Sequence, residues 1–301
     1  MPTSRRAAIA LAVVVSMSTP ARADDEPTAA PARVSLLARR QVEAPPGTAR
    51  YRPADTALDW RADQTAFVIC DMWDQHWCQS ATARVAEMAP RVNDLAGELR
   101  RLGALIIHCP SDVVDHYRDH PGRALARQAP AIDTAVPLLD WCPRDPEREP
   151  PLPIDDSDEG CDCLPQCETR RAWSRQIETI EIRDGDAITD SAEAFYLMKQ
   201  RGIRNVIVAG VHTNMCVLGR PFSIRQMVRQ GQRVVLVRDL TDTMYNPRMR
   251  PFVSHFAGTD LVVEHIERHW CPTITSDQIL GGAPHRFAAD PRKPPAASST
   301  P

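Results

Sequence analysis

The sequence predicts an α/β fold of three layers, α/β/α, in which a six-stranded parallel sheet is covered by helices on both faces. Short β-branched runs recur along the chain. Each is followed by a stretch with helical spacing, and the distance from one run to the next suits a crossover connection. Taken in order, Thr65–Cys70 reads as the first strand and runs straight into Asp71. From Ala81 to Arg101, Val85, Met88, Val92, Leu95, Leu99 and then Leu102 keep helical spacing, and Leu102-Gly103 closes that helix. Ala104–Ile107 is the second strand. A strand, a helix and a strand joined at this distance make a right-handed parallel unit.

The alternation stops between about 133 and 173. Pro137, Pro143, Pro146, Pro150, Pro151, Pro153 and Pro165 sit there among Asp155–Gly160 and Cys161-Asp-Cys163-Leu-Pro-Gln-Cys167, so this stretch reads as an insertion, with its acidic run as a solvated turn. Beyond it, Ile177–Ile182 is the expected third strand, Ala192–Arg201 a helix closed by Gly202, and Val206–Ala209 the fourth strand. A helix opens at Cys216 and runs through Leu218, Phe222, Ile224, Met227 and Val228 to Gln230 and Gly231. Val234–Val237 is the fifth strand and Leu261–Val263 the sixth, with Pro272–Ser276 capping a last short helix.

The first 23 residues carry Arg5-Arg6, an apolar run from Ala7 to Val15 and small residues up to Ala23, the pattern of a secretory signal. The chain is therefore expected to be exported, periplasmic or extracellular. Residues 24–61 read as an N-terminal extension lying over the surface or disordered, 62–283 as the folded domain, and 284–301 as a disordered tail. No later segment approaches about 18 apolar residues, so no stable membrane span is expected. A net charge of −3 argues against nucleic acid as the main partner. Nine cysteines in an exported chain invite disulfides and leave at least one thiol over. The Cys161, Cys163, Cys167 spacing matches no common zinc site, so no metal is assigned from it.

Chemistry concentrates around Cys216. Gly210 ends the fourth strand, and Thr213 or Asn214 stands where a helix cap belongs, so Cys216 falls in a first helical turn. Free N–H groups and the helix dipole there favour a thiolate. Asp71, at the end of the first strand, would face the same cleft if the two strands are neighbours, since ligands in such sheets bind beyond the carboxyl ends of strands. A carboxylate beside a thiol takes its proton and returns it to a leaving group. No Gly-x-Gly-x-x-Gly, Walker A or Gly-x-Ser-x-Gly motif occurs, which excludes dinucleotide, P-loop and serine α/β-hydrolase readings at the motif level.

Thr65–Asp71, followed by Gly202-Ile-Arg-Asn-Val-Ile-Val-Ala-Gly-Val-His-Thr-Asn-Met-Cys216-Val217, resembles the isochorismatase-like cysteine hydrolases, which include nicotinamidases. The resemblance spans about Gln64–Gly281. It implies a Rossmann-like six-stranded parallel sheet, a catalytic Asp-Lys-Cys triad on Asp71 and Cys216, a cis peptide before His212, and an oxyanion hole from the N–H groups of His212 and Cys216. It also implies assembly into a homo-oligomer. The lysine is missing: Lys199 and Lys293 are the only two, and counting back from Gly202 lands on Arg183 as its replacement. Nicotinamidases carry a metal near the end of the second strand, but Asp112, His116 and His120 lack the spacing, so no metal or other cofactor is assigned. His76, Trp73 and Trp77 follow Asp71 and are candidates for a pocket wall. The expected activity is hydrolysis of a small amide through a Cys216 thioester. The alternatives are a non-catalytic binding member of the same fold and a hydrolase of a non-amide bond.

Overall fold

The computed structural model describes residues 30–292; the secretory-type segment lies outside them. Among the described residues the sheet has eight strands rather than six. In chain order these are β1 (Arg33–Glu43), β2 (Tyr51–Arg61), β3 (Thr65–Cys70), β4 (Leu105–Cys109), β5 (Ala187–Ile188), β6 (Asn205–Val211), β7 (Arg233–Asp242) and β8 (Thr273–Ile274). Their spatial order is β2-β1-β8-β7-β6-β3-β4-β5, and β3 to β8 run parallel. The two added strands form an antiparallel hairpin on residues expected to be an irregular extension, and β1 extends the sheet by pairing with β8 through Arg39 and Thr273. Val34, Leu36 and Ala38 alternate inward along β1, which is why it joins the sheet.

The helices are α1 (Gln79–Arg101), α2 (Pro121–Gln128), α3 (Glu193–Gln200), α4 (Cys216–Gly219), α5 (Ile224–Arg229), α6 (His255–His269) and α7 (Asp277–Leu280). Phe67 and Ile69 of β3 bury against Val85, Met88, Val92, Leu95 and Leu99 of α1. Ala66 and Val68 point the other way, into a core with Phe195 and Leu197 of α3, Ile224 and Met227 of α5, and Val262 and Ile266 of α6. Strand alternation thus sends successive residues of one strand into two separate cores.

Three element assignments change. Leu261–Val263 lies inside α6, and the strand expected there is β8, a dozen residues on. The third strand is β5, beyond Ile177–Ile182, which is irregular. The helix opened by Cys216 is broken in two, because Pro221 forces Arg220 to an extended backbone with ψ 156°.

No helix or strand occurs between Gln128 and Ala187 among the described residues, so the alternation is interrupted across the 133–173 stretch. Its acidic groups hold it down. Glu149, with its carboxylate fully buried, accepts from Arg225 Nε at 2.7 Å and pairs with His265 Nε2 at 2.8 Å. Asp156 accepts from Asn214 and Asp158 from Asn246, so the run read as a solvated turn is a set of clasps. Despite burial, hydrogen bonds from His265 and Arg225 hold the Glu149 carboxyl down at about 2. His108 and Arg100 do the same for Asp186. Depressed carboxyl groups stabilise the fold above their ordinary pKa near 4 and lose that contribution as pH falls toward about 2. Urea unfolding is therefore expected to show wild-type stability falling across that window. Glu149→Gln, which leaves Arg225 buried without its counter-charge, is expected to cost about 3 kcal/mol at pH 7 and to flatten part of the acid slope; an unchanged midpoint and slope would refute the clasp.

Candidate active site

β3 and β6 are neighbours in register, with Cys70 opposite Gly210. That register depends on glycine: φ at Gly210 is 113°, and a Cβ there would lie 2.0 Å from the Cys70 carbonyl oxygen. Asp71 leaves β3 with φ 48°, its N–H bonded to the Cys109 carbonyl, and its Oδ1 accepts from the Ser111 N–H at 2.7 Å. Two strands therefore fix the carboxylate, which is completely buried.

On the other side, the Val211–His212 peptide is cis, and the chain turns through Thr213, Asn214 and Met215 to Cys216. The turn is tied to the end of β7: the Thr213 N–H donates to Asp242 O, and the Thr213 and Thr241 hydroxyls meet at 2.7 Å. Asp242 is itself held by Arg84 from α1 and His255 from α6, at 2.7 and 2.8 Å. Among the described residues neither the His212 N–H nor the Cys216 N–H donates a turn or loop hydrogen bond, and a first-turn N–H has no partner within its own helix. Those are the two donors the resemblance implies for an oxyanion hole.

The structure brings Asp71 and Cys216 together and adds a residue the sequence reading missed. The Cys216 thiol faces both the Asp71 carboxylate and the Arg220 guanidinium. Arg220 Nε lies 3.8 Å from Asp71 Oδ2, and its Nη2 donates to Asp112 Oδ2 at 3.1 Å. Neither the thiol nor the guanidinium reaches full hydrogen-bond geometry with Asp71 Oδ2, which stands buried without a bonded partner. Arg183 is elsewhere. It precedes β5 rather than following it, so it lies at the amino end of that strand, 61% exposed and paired with Glu181. The miscounted strand caused the misplacement. The available signal for Arg220 was its spacing, one helical turn beyond Cys216 and just before a proline.

Burial dominates the electrostatics. It pushes the Asp71 carboxyl up to about 6, against the lowering effect of Arg220 and of the Ser111 contacts. It pushes the Cys216 thiol well up too, and the Asp71 charge adds to this while Arg220 opposes it. The expected first-turn thiolate is thus absent: α4 has only four residues, too few for a dipole to overcome burial beside a carboxylate. Cys216 rests as a thiol. The nearby imidazoles are poor bases, since burial lowers His76 to about 4 and His212 well below the usual range. Asp71 is the best-matched proton acceptor.

Aromatic rings stack beside the site. Trp73 stacks on Trp173, from the end of the insertion, with ring centres 4.6 Å apart, and His76 lies 5.8 Å from Trp173 and 4.8 Å from the His212 ring. Of the residues weighed for a metal near β4, the Asp112 carboxylate is engaged by Arg220, and His120 Nδ1 accepts from the Gly122 N–H. Among the described residues the one group of three or more His, Cys, Asp or Glu donors within 4.8 Å of one another is Cys78, Cys161 and Cys163.

No protein-family model matches the chain, and no curated protein does. Similar solved structures are of isochorismatase-family, cysteine hydrolase and nicotinamidase or pyrazinamidase type. A cysteine hydrolase from Pseudomonas syringae pv. phaseolicola 1448A is 14% identical, with 73% of this chain and 92% of that chain covered and a TM-score of 0.45. An isochorismatase family protein from Burkholderia thailandensis is 16% identical, covering 72% and 94%, with a TM-score of 0.41. The pyrazinamidase of Pyrococcus horikoshii in complex with zinc is 15% identical, covering 70% and 98%, with a TM-score of 0.40. Likenesses this slight carry no weight for activity, which rests on the site's own geometry.

Proposed function

We propose that the chain is an exported cysteine hydrolase that cleaves the C–N bond of a small amide, of nicotinamide-like size, through a Cys216 thioester. The single observation behind this reading is a partly buried thiol facing a fully buried carboxylate, held up at about 6, and a guanidinium, beyond the carboxyl ends of two paired strands. The Cys216 sulfur attacks the amide carbon while Asp71 takes the thiol proton, and the carbonyl oxygen gains charge between the His212 and Cys216 N–H groups. Asp71 then gives that proton to the departing nitrogen, and ammonia leaves. Water attacks the thioester with Asp71 again as base; the acid departs and the thiol is restored. Arg220 stays charged throughout, steadying the carboxylate and the developing thiolate without moving a proton. The signal-type segment ending at Ala23 supports export.

Nicotinamide, pyrazinamide and aliphatic primary amides, each rapidly quenched with enzyme and read by intact mass, test the reading. The expected product is ammonia, together with an acyl adduct on the peptide containing Cys216. Ammonia release that survives complete alkylation of Cys216 would overturn it, as would inertness to every amide offered. Because Asp71 must be ionised to act, kcat/KM is expected to fall on the acid side with a midpoint near 6, and a flat profile from pH 5 to 8 would exclude Asp71 as base.

A further inference from the structure

A second cluster, outside the catalytic site, joins the insertion to the start of α1. Cys78 and Cys163, 85 residues apart in sequence, have sulfurs 3.9 Å apart, and the Cys161 sulfur lies within 4.8 Å of both. Cys167 is tied to the group through its backbone, whose N–H donates to Cys161 Sγ at 3.5 Å. All nine cysteines stand as free thiols in this structure, these four among them. Three sulfurs gathered this closely, with the backbone of a fourth cysteine bonded to one of them, suit a shared ion better than pairwise bonds.

From this juxtaposition we infer that Cys78, Cys161, Cys163 and Cys167 bind one zinc ion as a tetrathiolate site that staples the insertion to α1. The geometry points to a single ion. Zinc–sulfur bonds of about 2.3 Å around a tetrahedron place sulfurs about 3.8 Å apart, whereas a multi-iron cluster needs them farther apart. The surroundings are those of thiolate ligands. The Ser80 N–H donates to Cys163 Sγ at 3.4 Å and the Cys167 N–H to Cys161 Sγ at 3.5 Å. A first-turn N–H of a 23-residue helix is thus turned onto one of the sulfurs. Arg248, which donates to the Cys163 carbonyl, brings positive charge to a site whose thiolates would exceed the ion's charge. Chain spacing alone hid the set because its fourth member, Cys78, lies far upstream of the close-spaced three. Bound zinc would fix Trp77 and the stretch leading to Trp173, the wall beside Asp71, without entering the chemistry.

Full-length protein purified without chelator, assayed by elemental analysis and free-thiol titration after denaturation, tests this. The expected result is one zinc per chain. Replacement by Co²⁺ should give the intense thiolate-to-cobalt absorption of a tetrahedral sulfur site. Cys161→Ser/Cys163→Ser is expected to lower bound zinc about tenfold or more, and Cys142→Ser, outside the cluster, to leave it unchanged. Metal-free wild type with the four cysteines mapped as disulfides would overturn the inference, as would iron with acid-labile sulfide, or Co²⁺ absorption without thiolate character. The wild-type metal content and cobalt spectrum need no variant to fold, and none of these readouts depends on amide hydrolysis.

Discussion

Cys216→Ala is expected to abolish turnover, lowering kcat/KM by about 10⁴-fold or more while the fold persists. The sulfur is the atom to which the acyl group is transferred, and nothing beside it can substitute. Cys70 and Cys109 have no exposed surface, whereas Cys216 is partly exposed, so neither offers a second nucleophile. Removing one sulfur from a packed position costs only about 1 kcal/mol of stability, so circular dichroism and urea midpoints should stay close to wild type. Turnover retained by a well-folded Cys216→Ala protein would exclude the covalent route outright.

Asp71→Asn is the second large effect, an expected loss of about 10³-fold in kcat/KM from a nearly isosteric change. It should also alter the thiol in the opposite sense. The Asp71 charge is one of the forces holding the Cys216 proton on, and Arg220 opposes it. With the carboxylate neutralised, Arg220 is left facing the sulfur, so the pH midpoint for alkylation by iodoacetamide should move down. An enzyme that is dead yet ionises its thiol more readily separates the roles of base and nucleophile. A midpoint that stays put or rises would remove Asp71 from contact with the sulfur.

The central strands and two of the site residues were legible in the sequence because β3 and β6 are unbroken apolar runs. Asp71 follows directly on the first, and Gly210 marks the close approach of the second. The outer strands were not. β5 and β8 have two residues each, too short to show a period, whereas Ile177, Ile180 and Ile182 imitate one in an irregular segment. Val262 and Val263 have strand-like side chains but sit in a helix that buries Ile266 on the same core. The hairpin was hidden because Arg and Pro interrupt it, although Val34, Leu36 and Ala38 already alternate. Arg220 was passed over for a similar reason: a continuous helix was expected through Pro221, and the guanidinium was sought after a strand that lies elsewhere.

The hairpin has one more effect, on how the chain behaves among copies of itself. β2 is the outermost strand of the sheet, and a bare strand of 11 residues would be a template for end-to-end polymerisation. Pro53 removes one backbone donor from that border, and Arg52, Asp55, Asp59 and Arg61 crowd it with charge. The parallel strands behind it are thereby kept from recruiting a neighbour's.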